Sequence, residues 1–324
     1  MIGYYIHHQG SGHLPRARAV AASWGSQITG LSSLPHPADW PGEWVRLQDD
    51  APADPGADVT AGGHLHWVPR RHPGLGQRMG ALSAWLVAAR PRVLVCDVSV
   101  EVAVLARLHG VPVVSVVQPG ERSDGPHLLG YGISDALVAL WPETADIRTG
   151  LPLRLRSRIR YLGGLSRFPT TAAGTVRDRS VVVLWGRGGG AVPERLLEAA
   201  RAGSAGWTWT MLGGQTWSAD PFAVLSTAEV VITHAGQNAV AETAAARRPA
   251  VVIPQIRPFR EQHVTARALR APRWPATVLD TLPRRGWTDL LERTAGLDGS
   301  AWSAWCDDRA ASRFVQVVRE VAAA

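Results

Sequence analysis

The sequence predicts an α/β protein made of two doubly wound parallel sheets that face each other across a cleft. Short β-branched and apolar runs alternate with helix-length amphipathic stretches along the chain, the pattern of parallel sheets flanked by helices. At 324 residues the chain is long enough for two cores. The stretch 163–171 holds the glycines and proline expected of a hinge between them.

In the first half, strands are expected at 2–6, 27–31, 93–96 and 112–117, with helices at 15–24, 76–89 and 99–109. In the second half, strands are expected at 181–184, 208–212, 230–233, 250–253 and 277–279, and helices at 193–202, 221–227, 238–247 and 260–269. Crossovers between parallel strands in such sheets are right-handed almost without exception. We therefore divide the chain into domains 1–163 and 164–324. Residues 33–75, rich in Pro, Gly, Asp and His, read as loops with short strands. Arg154, Arg156, Arg158 and Arg160 alternate with Leu153, Leu155, Ser157 and Ile159. This reads as a strand with one basic face, either a charged sheet edge or, less favoured, a patch for lipid phosphates.

Composition narrows the chemistry. Apolar residues make up 46% of the chain and charged ones 19%, which suits a folded globular protein. No apolar run approaches the roughly 20 residues of a membrane span, and residues 1–7 read directly into a strand rather than a signal peptide. All 34 basic residues are arginine. Lysine Schiff bases and Walker-type phosphate loops are thereby excluded. The net charge of +7 falls as about +2 on the first domain and +5 on the second, compatible with an anionic ligand or membrane surface. The arginines are scattered and no nucleic-acid motif is present, so nucleic acid is not an expected partner. Cys96 and Cys306 form no disulfide or metal pattern; a cytoplasmic protein with free thiols is expected.

The most informative segment is 228–243. A buried strand ends at Thr233, a small-residue turn follows, and a helix begins near Gly236. Such a helix start offers unpaired N–H groups and a positive dipole end to an anion. Ala235 and Gly236 allow a phosphate to approach the backbone, and Gln237 and Asn238 add donors. Glu242 sits one turn beyond Asn238, placed to accept from a sugar diol.

This segment resembles the nucleotide-sugar signature of GT-B glycosyltransferases, both the plant-type UDP-glycosyltransferases and the MurG family. The His234-to-Glu242 spacing matches, and Glu261 and Gln262 stand at the MurG-like distance from Pro254. The resemblance implies two Rossmann-like domains, with the last helix, about 302–321, packing back on the first. It implies that 235–238 hold the diphosphate, Glu242 the ribose, and Glu261 with Gln262 the transferred sugar; His234 is either a phosphate contact or a cap of the helix. The glycine turn at Gly186 and Gly188 resembles the family's phosphate-facing loop. Arg187 there is either a diphosphate contact or a solvated side chain. Trp217 either stacks on the base or packs in the core.

On the acceptor side, Gly10, Ser11 and Gly12 form a tight turn that resembles the glycine-rich histidine turn of the same families and projects His13 into the cleft. A histidine suits removal of an acceptor hydroxyl's proton. Asp97 resembles the aspartate that orients it; the plainer reading is a helix N-cap. His13 itself could instead cap a helix or bind the acceptor. Glu121, Arg122, Asp124 and His127, in the loop at 118–127, either touch the acceptor or are simply solvated.

The expected activity is inverting, metal-independent transfer of a hexose or N-acetylhexosamine from a UDP-sugar to an acceptor hydroxyl. No cofactor is expected beyond the UDP-sugar co-substrate, and the sequence has no Asp-x-Asp metal motif. The acceptor is a small molecule or a lipid-linked one, and peripheral contact with the inner face of the membrane is left open. The competing expectations are a non-hydrolysing UDP-sugar epimerase and a non-catalytic nucleotide-sugar-binding subunit.

Overall fold

The computed structural model describes residues 1–10, 12–51, 58–170, 175–186, 194–213, 216 and 218–324. The first half runs β1 (Ile2–Tyr5), α1 (His13–Trp24), β2 (Ile28–Ser32), β3 (Trp44–Arg46), α2 (Pro73–Ala89), β4 (Leu94–Cys96), α3 (Val100–Leu108), β5 (Val113–Val117), α4 (Gly125–Ile133), β6 (Ala136–Ala139), α5 (Leu153–Arg156) and β7 (Ile159–Tyr161). The second runs β8 (Ser180–Trp185), α6 (Glu194–Ala202), β9 (Thr208–Gly213), α7 (Pro221–Ser226), β10 (Val230–Thr233), α8 (Gln237–Ala245), β11 (Ala250–Val252), α9 (Glu261–Leu269), β12 (Ala276–Val278), α10 (Trp287–Ala295) and α11 (Ala310–Ala323).

The strands form two parallel sheets. One has seven strands in the order β3-β2-β1-β4-β5-β6-β7, the other five in the order β12-β11-β10-β8-β9. The inner strands of each are buried on both faces, since consecutive side chains point to opposite sides. Ile2, Tyr4 and Ile6 meet α1 and α11 on one face, while Tyr5 meets α2 and α3 on the other. Val181, Val183 and Trp185 of β8 pack on α6 and α10. Val182 and Leu184 pack toward α8 and α9. Helix α11 lies against α1, β5 and β6 of the first sheet, and Phe314 stacks on Tyr4 at 6.3 Å. Among the described residues, no helix is long and apolar enough to cross a membrane.

Three local expectations are corrected. Residues 154–160 are not one strand: a helical turn, α5, precedes β7, and Leu151, Leu155 and Ile159 are the buried residues. Pro152 opens the turn, Leu155 is its one buried residue, and Ile159 already belongs to β7. The final helix is shorter than 302–321. Trp302 sits in a tight 3-10 turn packed on Trp274 and Trp305, and α11 starts only after Asp308, whose φ is +64°. Half of the expected loop at 118–127 leads into α4, whose N-cap is Asp124, accepting from the His127 N–H, with Pro126 in the first turn.

Candidate active site

In each sheet the chain order reverses once beside the first strand, between β1 and β4 and between β8 and β10. Crevices at such switch points, beyond the carboxyl ends of the strands, are where open α/β sheets take ligands. His13 follows β1 and Asp97 follows β4. Gly186 follows β8 and His234 follows β10. The two switch points supply the two sides of one cleft.

His13 opens α1, and its Nδ1 lies 2.7 Å from Asp97 Oδ2. Asp97 is buried and is not the cap of α3; Ser99 does that, accepting from the Val102 N–H. Burial would push the Asp97 carboxyl up, but the charges of Arg16 and His13 outweigh it and hold the pKa at about 2. Ionised Asp97 accepts the Nδ1 proton, so His13 presents a lone pair on Nε2. Arg16, one turn further along α1, donates to Asp97 Oδ1 at 2.5 Å and to Gln237 Oε1 at 2.9 Å. Asn238 Nδ2 donates to the Gly12 carbonyl at 3.0 Å. Beside the pair, half-buried His7 is held neutral, its pKa lowered to about 4 by desolvation and then by His13 and His8.

Across the cleft, Gly236 caps α8 without a side-chain acceptor, and its own N–H donates to His234 Nδ1 at 3.0 Å. Burial first, then the charge of Arg257, lowers the His234 pKa to about 4. A neutral ring that accepts at Nδ1 carries its proton on Nε2. That nitrogen faces Gly186, where a Cβ would sit 3.2 Å from it. Gly186, His234 Nε2–H and the first amides of α8 therefore surround a small space rich in donors. Gln262 borders it: its Nε2 would lie 3.6 Å from a Cβ on Gly236, and its Oε1 holds the Gln255 N–H at 2.9 Å.

Glu242 is buried. Arg167 of the inter-sheet connection meets it through Nε at 2.9 Å and NH2 at 3.4 Å. Burial raises the Glu242 pKa despite that partner.

The four residues expected at the acceptor loop are differently disposed. Arg122 is buried, donating to the Pro119 carbonyl and His127 Nε2 and pairing with Glu261 at 3.5 Å. It faces the second half rather than open cleft. Glu121 pairs with Arg260 at 2.9 Å, and its N–H donates to the Phe259 carbonyl at 2.7 Å. Asp124 holds His127 Nδ1 at 2.6 Å and His66 Nε2 at 3.2 Å.

The ligating atoms of His66, Asp124 and His127 lie within 4.8 Å of one another, close enough for a metal ion. Arg122 opposes that use: its N–H occupies His127 Nε2, so the neutral ring carries its proton on the Nδ1 that a metal would need. Burial lowers the His127 pKa to about 4 against the upward pull of Asp124. The trio reads as a hydrogen-bonded chain. It borders a cavity of about 40 Å³ lined by Asp97, Ser99, Ser115, Gln118 and Tyr131. A hollow of about 720 Å³ against Arg247, Arg248 and Pro249 lies at the amino ends of β10 and β11, away from the switch point.

The fold brings His13, Asp97, Gly10 and Gly12 together on one side of the cleft. Gly186, His234, Ala235, Gly236, Gln237, Asn238 and Gln262 lie on the other. Ser11, Arg187, Gly188 and Trp217 lie outside the described residues. Sequence reasoning missed Arg16, Arg167, His66 and Phe259. Only Arg16 left a signal, three positions after His13 and so on its helix face.

Residues 215–271, which contain α8 and the loop to α9, match the family model for the glycosyltransferase family 28 C-terminal domain. No curated protein matches the chain. Among solved structures, the glycotransferase of kitacinnamycin has a TM-score of 0.69 at 15% identity, covering 99% of this chain and 98% of its own. MurG of Acinetobacter baumannii has 0.64 at 15%, covering 98% and 99%. Glycosyltransferase VinC, solved in complex with dTDP, has 0.63 at 13%, covering 99% of each. The chain has the GT-B fold of these glycosyltransferases.

Within this GT-B fold the family match falls on the segment that supplies the donor-rich space, 234–238 and 261–262. The first half, which carries His13, Arg16 and Asp97, is related to the solved structures through its fold alone.

Proposed function

We propose that this chain is a glycosyltransferase that moves a hexose or N-acetylhexosamine from a UDP-sugar to an acceptor hydroxyl by direct displacement, with inversion and without a metal ion. One observation carries the reading. The bond from Asn238 to the Gly12 carbonyl sets the His13–Asp97 pair against the amide-rich start of α8, so a base and an anion cradle share one cleft.

The acceptor hydroxyl gives its proton to His13 Nε2, and its oxygen bonds to the anomeric carbon. The bond from that carbon to the diphosphate oxygen breaks as this happens, and UDP leaves as the anion. Asp97 stabilises the imidazolium that forms. The α8 amides and the His234 Nε2–H meet the charge developing on the leaving group as dipoles already in place. Base and cradle on opposite sides of the cleft favour attack from the face away from the diphosphate, hence inversion. Glu242 takes the ribose hydroxyls after exchanging its Arg167 contact, and Gln262 with Glu261 takes the sugar. The missing Asp-x-Asp motif supports metal independence.

Uracil is assigned from the resemblance of 234–262 to UDP-dependent enzymes, while the dTDP in VinC is reason to test thymidine compounds beside it. The acceptor class, small-molecule or lipid-linked, rests on the same resemblance. We place the chain in the cytoplasm on its two free cysteines. Exposed Leu153, with Arg154 and Arg156 on α5, offers a peripheral contact to an anionic inner membrane face.

A thermal-shift panel of nucleoside diphosphates and their sugars tests the donor assignment. A ligand at 100 times its Kd stabilises by about 2.7 kcal/mol. Stabilisation by UDP or dTDP compounds is expected, and a panel without any stabilising member would overturn the reading. Formation of an epimer from UDP-sugar alone would favour the epimerase instead.

A further inference from the structure

Arg16 is the residue through which the two sides of the cleft meet at the catalytic pair. It is buried on α1, one turn beyond His13. Its NH1 donates to Asp97 Oδ1 at 2.5 Å, and its NH2 donates to Gln237 Oε1, on the first residue of α8, at 2.9 Å. Asp97 Oδ2 is left to His13. The bonds form one chain, from His13 through Asp97 and Arg16 to Gln237, that begins on the first sheet and ends on the donor helix of the second.

A guanidinium is a rigid planar fork whose natural partner is both oxygens of one carboxylate. Here the fork is divided. Gln237 draws the second nitrogen away, and that division frees one oxygen of Asp97 for the histidine. If the halves separate, Gln237 withdraws, and a buried guanidinium with an unpaired arm is costly. The other oxygen of Asp97, the one that orients His13, belongs to the carboxylate that Arg16 already holds and completes the fork's usual two-point pairing. We propose that Arg16 is a positioning residue that makes the His13–Asp97 pair depend on closure of the cleft: Arg16 shares its fork with Gln237 when the cleft is closed and competes with His13 for Asp97 when it is open. The device would hold back the base until the donor helix is seated. It would also limit hydrolysis of a donor by water in an open cleft. The inference rests on the reading of His13 as the base.

The test compares Arg16→Met and Arg16→Lys with the wild type in steady-state kinetics, in the pH dependence of kcat/KM, and in hydrogen exchange of the amides at 12–16 and 236–240. Arg16→Met should lower kcat about 10²-fold with donor KM within about threefold, the loss typical of a misplaced catalytic group. Its acidic limb should move up by about one pH unit, because Asp97 then faces His13 with its charge uncompensated. Exchange at both segments should quicken. Arg16→Lys keeps a charge beside Asp97 but has no fork to divide, so kcat should fall while the acidic limb stays at the wild-type position. If Arg16→Met does not fold, the lysine variant carries the test. Wild-type kcat in the variants, or a loss confined to donor KM with exchange unchanged, would overturn the proposal. A wild type inactive with every sugar nucleotide would instead refute the glycosyl-transfer reading, and the exchange comparison would still report on the Arg16 bridge.

Discussion

Asn238, in the first turn of α8, donates its side-chain amide to the carbonyl of Gly12, the residue before His13, at 3.0 Å. Two helix starts from different sheets are thereby held side by side. One carries a histidine free to accept a proton, the other a row of amides suited to an anion.

Removing the base or its orienter should separate binding from turnover. His13→Ala and Asp97→Asn are expected to lower kcat by about 10²–10⁴-fold, the range of general base catalysis, while nucleotide binding measured by calorimetry persists. Parallel loss of binding would place His13 in donor recognition.

Asp97 also links stability to pH. Its folded pKa of about 2 lies below the ordinary value of 3.8, so its contribution is complete above about pH 4 and is lost as pH falls through 2. Urea melts of the wild type should show about 2 kcal/mol of lost stability over that window, following 1.36 kcal/mol per unit. Asp97→Asn should lack that component. It should also be less stable at pH 7, by about 3–5 kcal/mol, since the buried Arg16 charge loses its counterion. Equal acid sensitivity in both proteins would contradict the assignment.

Glu242→Gln should act on binding. Replacing a charged acceptor by an amide weakens a hydrogen bond worth about 1.5–3 kcal/mol, so donor KM should rise at least about tenfold with kcat nearly unchanged. A fall in kcat without a change in KM would mean that Glu242 serves the Arg167 contact and not the ribose.

Gly120 is where the acceptor-side loop touches the loop before α9. Its φ is +102°, and a Cβ there would stand 2.5 Å from the Phe259 carbonyl oxygen. Gly120→Ala should therefore force the two halves apart and destabilise the protein by about 1–3 kcal/mol, seen as a lower melting temperature and a larger radius of gyration in solution scattering. An unchanged radius and stability would show that the contact is dispensable.

The second sheet was readable from sequence because its strands are short β-branched runs buried on both faces, as in Val181, Val182 and Val183 or Val230, Val231 and Ile232. β6 escaped notice because Ala136, Leu137, Val138 and Ala139 favour helix as much as strand. α4 is hard to see because its three glycines are poor helix formers, and its cap, Asp124, is a residue type common to helix caps and binding loops. At the site, His13 and the α8 turn were visible because glycine turns and strand ends mark them locally. The burial of Arg122 and the Arg167–Glu242 pair were not, since each joins segments distant in the chain and only the packed fold supplies the partner.

The claim on which the account turns is that the start of α8 receives a nucleotide's diphosphate. A crystal structure with UDP bound tests it most directly. The diphosphate oxygens should lie within hydrogen-bonding distance of the 237 and 238 amides and His234 Nε2, with the ribose at Glu242. A diphosphate bound elsewhere while Gly236 and His234 stay as they are would contradict it.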